Sequence, residues 1–207
     1  MRVGHAVTHG TFSLDGETFD VDNNVWVVGD DDECVVIDAP HDVRTILDTA
    51  GERRIVAIVL THAHDDHVRV APELARLTGA PLLLHPADEV LWKLVHAGEP
   101  MPAPLADGDE IAVAGEVLRV LHTPGHSPGA VCLYAPALGT VFSGDTLFAG
   151  GPGATGRSFS DFPTIIRSIE SRLFTFPDDT IILPGHGLDS TIGTERPHLD
   201  EWVERGW

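Results

Sequence analysis

The chain has 207 residues, 43% hydrophobic and 22% charged, with 21 Gly and 15 Pro; this suffices for a buried core and excludes disorder, collagen-like repeats and a disulfide scaffold. Thirteen Lys and Arg against 32 Asp and Glu leave a formal charge of −19, which repels nucleic acid and anionic membrane surfaces and argues against a nuclease. Twelve histidines, nearly as many as all Lys and Arg together, point to metal binding, because imidazole is the commonest metal ligand.

The amino terminus, Met1-Arg2-Val3-Gly4-His5, lacks the apolar run and cleavage site of a secretory signal. No stretch approaches the ~18 apolar residues that span a bilayer. A soluble, cytoplasmic protein with no membrane partner is expected. The first predicted strands are Asn24–Val28 and Cys34–Ile37, joined by a solvated hairpin turn at Asp30-Asp31-Asp32-Glu33. A helix is predicted over Asp42–Thr49, with Val43, Ile46 and Leu47 on one face and Gly51 near its stop. Strand Ile55–Leu60 follows, then a helix over Val70–Thr78 with Pro72 in its first turn and Gly79 at its end. Pro81–His85 is the next strand. The proline-rich stretch Gly98–Pro104 is the linker candidate, dividing the chain into halves of about 1–104 and 105–207 that are read as two layers of one domain. The second half continues with strands at Val117–His122, Val131–Tyr134, Thr140–Ser143 and Thr180–Leu183, a helix over Pro163–Leu173, and a short helix around Pro197–Arg205. Cys34 and Cys132 sit inside strand-like runs and are read as buried thiols. Strands alternating with helices predict a layered α/β fold.

The chemistry concentrates at strand ends. Ile55–Leu60 runs into Thr61-His62-Ala63-His64-Asp65-Asp66-His67. In an extended segment residues two apart point the same way, so His62 and His64 can bind one ion together. A turn toward the Val70 helix would send Asp66 and His67 to a neighbouring ion. Three later segments repeat an apolar strand, a glycine and a ligand type: Gly125-His126, Gly144-Asp145 and Gly185-His186. Together these are seven imidazole and carboxylate ligands for two metals, a set that suits zinc, iron or manganese. Two ions ~3.5–4 Å apart can share a water, hold it as hydroxide and polarise a substrate carbonyl. Asp66 is the candidate catalytic residue, orienting that hydroxide and exchanging its proton.

These motifs resemble the metallo-β-lactamase superfamily, and within it the glyoxalase II-like (hydroxyacylglutathione hydrolase-like) branch, over nearly the whole chain. The resemblance implies an αββα sandwich: two facing mixed sheets, helices outside, metals at one edge. It implies that His62, His64 and His126 hold a first divalent ion, most readily zinc. It implies that Asp66, His67 and His186 hold a second, with Asp145 bridging both. The implied reaction is hydrolysis of a small-molecule thioester. Only residues 187–207 follow His186, where full-length glyoxalase II enzymes carry a helical domain that supplies much of their glutathione site. A short form using another small thiol such as mycothiol, or another ester, is therefore expected.

The alternative reading is a persulfide dioxygenase, which shares the fold and most ligands but uses one iron. Most β-lactamases of this fold place a cysteine where Asp145 stands, and the related lactonases use an active-site tyrosine, whereas Tyr134 falls in a predicted strand. Arg157, following the flexible Gly150–Gly156 stretch, is the candidate contact for an anionic substrate group. His122, four residues before His126, is read with the remaining histidines as structural or solvated, and is the one of them that could stand behind the metal ligands. His5, His9, His41, His85, His96 and His198 are read as structural or solvated.

Overall fold

The computed structural model describes residues 1–206; Trp207, the last residue of the second half, lies outside them. The first sheet is built from β1 (Arg2–Leu14), β2 (Glu17–Gly29), β3 (Glu33–Ile37), β4 (Arg54–Val59), β5 (Leu82–Leu84) and β6 (Ala103–Pro104), side by side in that order. β1 to β3 are antiparallel and β3 to β6 parallel. Parallel neighbours require crossovers, and α1 (Val43–Ala50), α2 (Asp65–Val68), α3 (Ala71–Thr78) and α4 (Glu89–Val95) supply them. Gly98–Pro104 is not merely a linker, because its last two residues form the edge strand β6.

The second sheet takes β7 (Glu110–Val113), β8 (Glu116–His122), β9 (Val131–Ala135) and β10 (Thr140–Gly144) as an antiparallel meander. A small hairpin of β11 (Leu147–Phe148) and β12 (Gly151–Pro152) and helix α5 (Phe162–Ser168) precede β13 (Ile181–Pro184). β13 is parallel to β10 and carries β14 (Ser190–Thr191) outside it. α6 (Ile192–Glu195) and α7 (Leu199–Arg205) close the chain. α5 continues through Leu173 with a wider turn, in which Phe174 N–H donates to Ile169 C=O, five residues back, at 2.9 Å.

Period-two alternation decides the layers. On β2, Trp26 and Val28 point into a core between the sheets with Ile37, Val59, Val120 and Phe142. Val25 and Val27 point the other way, against Ile46, Leu74 and Trp92 of the first helical layer. The second sheet repeats the pattern, with Cys132, Val141 and Ile182 facing Ile165, Ile169 and Trp202. Each fully buried Val, Leu or Ile contributes about 1.5–3 kcal/mol over exposure. Strands buried on both faces read as unbroken apolar runs, as Cys34–Ile37 does. The result is the α/β architecture expected, helices–sheet–sheet–helices. Cys34 and Cys132 are buried free thiols, and Asp30–Glu33 forms the tight turn, with Asp30 Oδ1 accepting from the Asp32 and Glu33 amides at 2.9 Å.

The largest departure from the predicted elements is the hairpin β1–β2. It pairs in unbroken register from Arg2↔Gly29 to Leu14↔Glu17, far beyond the predicted Asn24–Val28. Most side chains of β1 and of the first part of β2 are exposed or half-exposed, so no apolar alternation marked them. Asp15 and Gly16 form its tip at φ +56° and +80°, the left-handed pair of a type I′ turn. Among the described residues no helix is long and apolar enough to cross a membrane.

Candidate metal centre

The parallel strand β4 ends against β3 and delivers Thr61 to His64 in extended backbone before α2 turns the chain. His62 and His64 therefore meet each other, with His62 Nε2 3.0 Å from His64 Nδ1. His126, from the loop between β8 and β9, brings its Nε2 3.0 Å from the same His64 Nδ1. One turn of helix sends Asp66 and His67 to the other side, where His186, following β13, places Nε2 3.1 Å from His67 Nε2 and 3.2 Å from Asp66 Oδ2. Asp145, following β10, lies between the two groups. Its Oδ2 is 3.5 Å from His126 Nε2 and 3.4 Å from His186 Nε2, and its Oδ1 is 3.3 Å from His67 Nε2. All seven expected ligand candidates thus converge, as His62–His64–His126, Asp66–His67–His186 and a linking His62–His67–Asp145 group.

The outer nitrogens decide what the inner ones can do. His67 Nδ1 faces Asp38 Oδ2 at 2.9 Å, His126 Nδ1 faces the Ala154 carbonyl at 2.8 Å, and His186 Nδ1 faces the Asp22 carbonyl at 2.6 Å. His62 Nδ1 is 3.1 Å from Thr61 Oγ1, whose own proton goes to Asp38 Oδ2. An acceptor at each outer nitrogen assigns the ring proton there, leaving a lone pair on each inward Nε2. Asp145 Oδ1 is buried with no hydrogen-bond partner. Converging lone pairs beside an unpartnered buried carboxylate oxygen match a divalent cation in donor type and count.

Electrostatics without an ion point the same way. Burial and the neighbouring imidazoles hold His62 well below its ordinary range, and burial above all brings His64 down to about 3. Burial disfavours charge on His186 as well, but Asp145 and Asp66 outweigh it and raise the imidazole to about 10. His67 is likewise raised against burial by Asp145, Asp66 and Asp38. Burial resists ionisation of Asp66, yet His67 and His186 bring it down to about 2. Asp145 and Asp66 thus favour positive charge where His67 and His186 converge, the place a divalent cation would occupy.

Sequence reasoning missed the residues behind this set. Asp38 also accepts from Thr61 N at 2.7 Å. Asn23 donates to Asp66 Oδ2 at 3.1 Å while its Oδ1 faces His41 Nε2 at 2.8 Å; His41, read as structural or solvated, braces the site from outside. Asp88 ties the two ligand loops together, accepting from Ala63 N at 2.9 Å, Ser127 Oγ at 2.8 Å and Gly129 N at 2.5 Å. His122 keeps its structural reading and does not stand behind His126, the alternative its position left open. Its Nε2 faces the Pro128 carbonyl at 2.9 Å and its ring stacks on His85 at 4.0 Å.

Arg157 does not line the cavity at the centre. That cavity, about 220 Å³, is walled by Phe12, Val21, Phe148 and Ala154 around the ligand candidates. Arg157 lies one layer out, with Nη1 2.9 Å from Glu17 Oε2 and its guanidinium 4.6 Å from the Phe19 ring and 5.6 Å from the Phe12 ring. Within the Gly150–Gly156 stretch, expected to be flexible, Gly151 and Gly153 are buried, while Gly150 and Gly156 are exposed. A Cβ on Gly153 would overlap the Asp145 carbonyl. Gly185 is required for the same reason: a Cβ there would overlap Asp145 Oδ1 and lie 2.7 Å from His67 Cε1. Gly185→Ala is therefore expected to displace Asp145 and lower metal content, measured by elemental analysis, while circular dichroism stays native.

Comparisons with known proteins agree with this geometry. The family model described as Metallo-beta-lactamase superfamily matches residues 18–186. The Probable metallo-hydrolase YqgX of Bacillus subtilis (strain 168) is 33% identical over 188 residues, 84% of this chain and 89% of that protein. The hydroxyacylglutathione hydrolase of Aeromonas hydrophila is 36% identical over 173 residues, 80% of this chain and 61% of that protein. The crystal structure of TTHA1623 in a di-iron-bound form has a TM-score of 0.75 at 32% identity, covering 91% of this chain and 96% of that one. The chain belongs to the metallo-beta-lactamase superfamily.

Proposed function

We propose that this metallo-hydrolase cleaves the thioester of a small thiol carrier at a two-metal site. The observation that carries the reading is the convergence of seven ligand-type side chains, with the outer nitrogens of His67, His126 and His186 already anchored. His62, His64 and His126 would hold one divalent ion, Asp66, His67 and His186 the other, with Asp145 reaching both. When bound, such a pair supplies Lewis acidity, polarising a carbonyl and acidifying a water. Asp66 lines the cavity as a carboxylate whose Oδ2 is fixed by Asn23, so it accepts a hydrogen bond from the attacking water and orients it. Phe12 and Phe148 exclude bulk water from the same space.

The balance of the reaction is thioester plus water giving carboxylic acid plus thiol. A thiolate departs without a proton donor because its pKa is only about 8.5, and the titratable residues in the cavity lining are all ligand candidates. The hydroxyacylglutathione hydrolase relative supports a thioester. The di-iron-bound TTHA1623 favours iron as an occupant of the same side chains, beside zinc.

Metal analysis of protein purified without added metal, together with a thioester panel, tests the reading. Two metals per chain and metal-dependent hydrolysis are expected. A single iron with oxygen-dependent consumption of a persulfide would replace it with the dioxygenase. His67→Ala and His126→Ala should each lose metal, from different halves of the site. Full occupancy in both variants would show that other residues hold the ions.

A further inference from the structure

We infer that the substrate presents an uncharged, apolar arm to the cavity beside its scissile carbonyl, and no carboxylate or phosphate. The inference rests on the hydrolase reading and names the substrate class for that site. The cavity is small, about 220 Å³, below the ~300–1,000 Å³ of pockets that take drug-sized ligands. Its walls beyond the ligand candidates are two phenyl rings, a valine and an alanine. The rings flank both halves of the centre: Phe12 meets His64 edge-on at 5.2 Å, and Phe148 meets His186 at 6.2 Å. A carbonyl seated at the centre thus has apolar surface on either side of it.

No Lys or Arg lines this cavity. Two arginines beside the hairpin that supplies Phe12 are already committed. Arg157 pairs with Glu17 and lies against Phe12 and Phe19. Arg69, beyond α2, pairs with Asp65 and donates to the Thr11 carbonyl at 2.8 Å. At the hairpin tip Asp15 accepts from Ser158 N at 2.9 Å, so the hairpin and the 157–158 segment close on each other. With no cationic side chain in the lining, an anionic arm would lose its hydration there with no side-chain partner to replace it. An alkyl or aryl arm gains instead about fourfold in affinity for each methylene buried.

The test is calorimetric titration of the metal-loaded protein with two ketone isosteres, in which CH2 replaces the thioester sulfur. One ends in an alkyl group; the other carries the same acyl group on an arm with two carboxylates. The uncharged isostere should bind at least tenfold more tightly, because the apolar walls cannot replace the water that the charged arm gives up. Phe12→Leu and Phe148→Ala, checked for unchanged metal content, should weaken the uncharged ligand several-fold and barely move the charged one. Equal or tighter binding of the charged isostere, or no binding of the uncharged one, overturns the inference. Selective binding of the uncharged isostere without turnover of either matched thioester would overturn the hydrolase reading and leave the apolar site standing. Turnover that prefers the anionic thioester would do the reverse.

Discussion

Asp145→Ala is expected to lower hydrolysis by three orders of magnitude or more while the far-ultraviolet spectrum stays native. Its carboxylate lies within 3.5 Å of ligand candidates from both halves of the site, His126 and His186 through Oδ2 and His67 through Oδ1. Burial opposes its ionisation, but His186 and His67 hold it well below the ordinary carboxylate range. Removing it leaves two imidazoles 3.1 Å apart with one counter-charge fewer, so the second ion should bind weakly or not at all. Positioning of reactants can supply about 7 kcal/mol or more of a barrier reduction. A thousandfold loss uses about 4 kcal/mol of it. The strand that carries Asp145 is held by its own ladder to β9 and β13, so the fold should survive. Asp145→Asn separates charge from shape, since it keeps the volume and loses the anion. Elemental analysis should show the metal count falling from two toward one in both variants. Two bound metals with unchanged turnover would sink the bridging role.

The ligand set was legible because its chemistry is local: each candidate follows an apolar strand and sits within two residues of a turn. The alternation that separates Trp26 and Val28 from Val25 and Val27 likewise exposes the two-sided burial of β2. What escaped was held by long-range geometry. Asp38 is 29 residues from His67, and Asn23 is 43 from Asp66; neither belongs to a spaced motif. A signal existed for Asp38, an acidic residue directly after the buried run Cys34–Ile37 at the end of β3. The long hairpin also had a signal, Asp15-Gly16, the strongest short-range mark of a type I′ turn. It went unused because the flanking residues are mostly polar, and their pairing is stabilised by backbone hydrogen bonds instead of a buried face. The alternative left open for His122 closes for the opposite reason. Proximity to His126 in sequence did not carry into space, because the Pro128 carbonyl and the His85 ring captured its imidazole.

Asp38 supports the sharper test of how the surrounding layer governs the ligands. It is buried, adopts φ +62°, and spends both oxygens: Oδ1 on Thr61 N, Oδ2 on Thr61 Oγ1 and His67 Nδ1. Asp38→Ala leaves an amide, a hydroxyl and a ring nitrogen without acceptors in a buried place. Each such group costs about 1–3 kcal/mol, and alanine tolerates the left-handed backbone less well than aspartate. A loss of about 3–5 kcal/mol is expected, which lowers Tm by roughly 10–15 °C for a chain of this size. Asp38→Asn isolates the tautomer. Its side-chain oxygen can still accept from Thr61 N, and asparagine is at home at positive φ, so most of the stability should remain. Its amide nitrogen, however, would face His67 Nδ1 as a donor and drive the imidazole proton to Nε2, where a lone pair is needed for the metal. Metal affinity measured by chelator competition should fall 10–100-fold, the usual consequence of losing such a partner, with Tm of the metal-free protein little changed. If affinity and melting temperature fall together in both variants, Asp38 acts only as a strut for the strand end and does not set the protonation of His67.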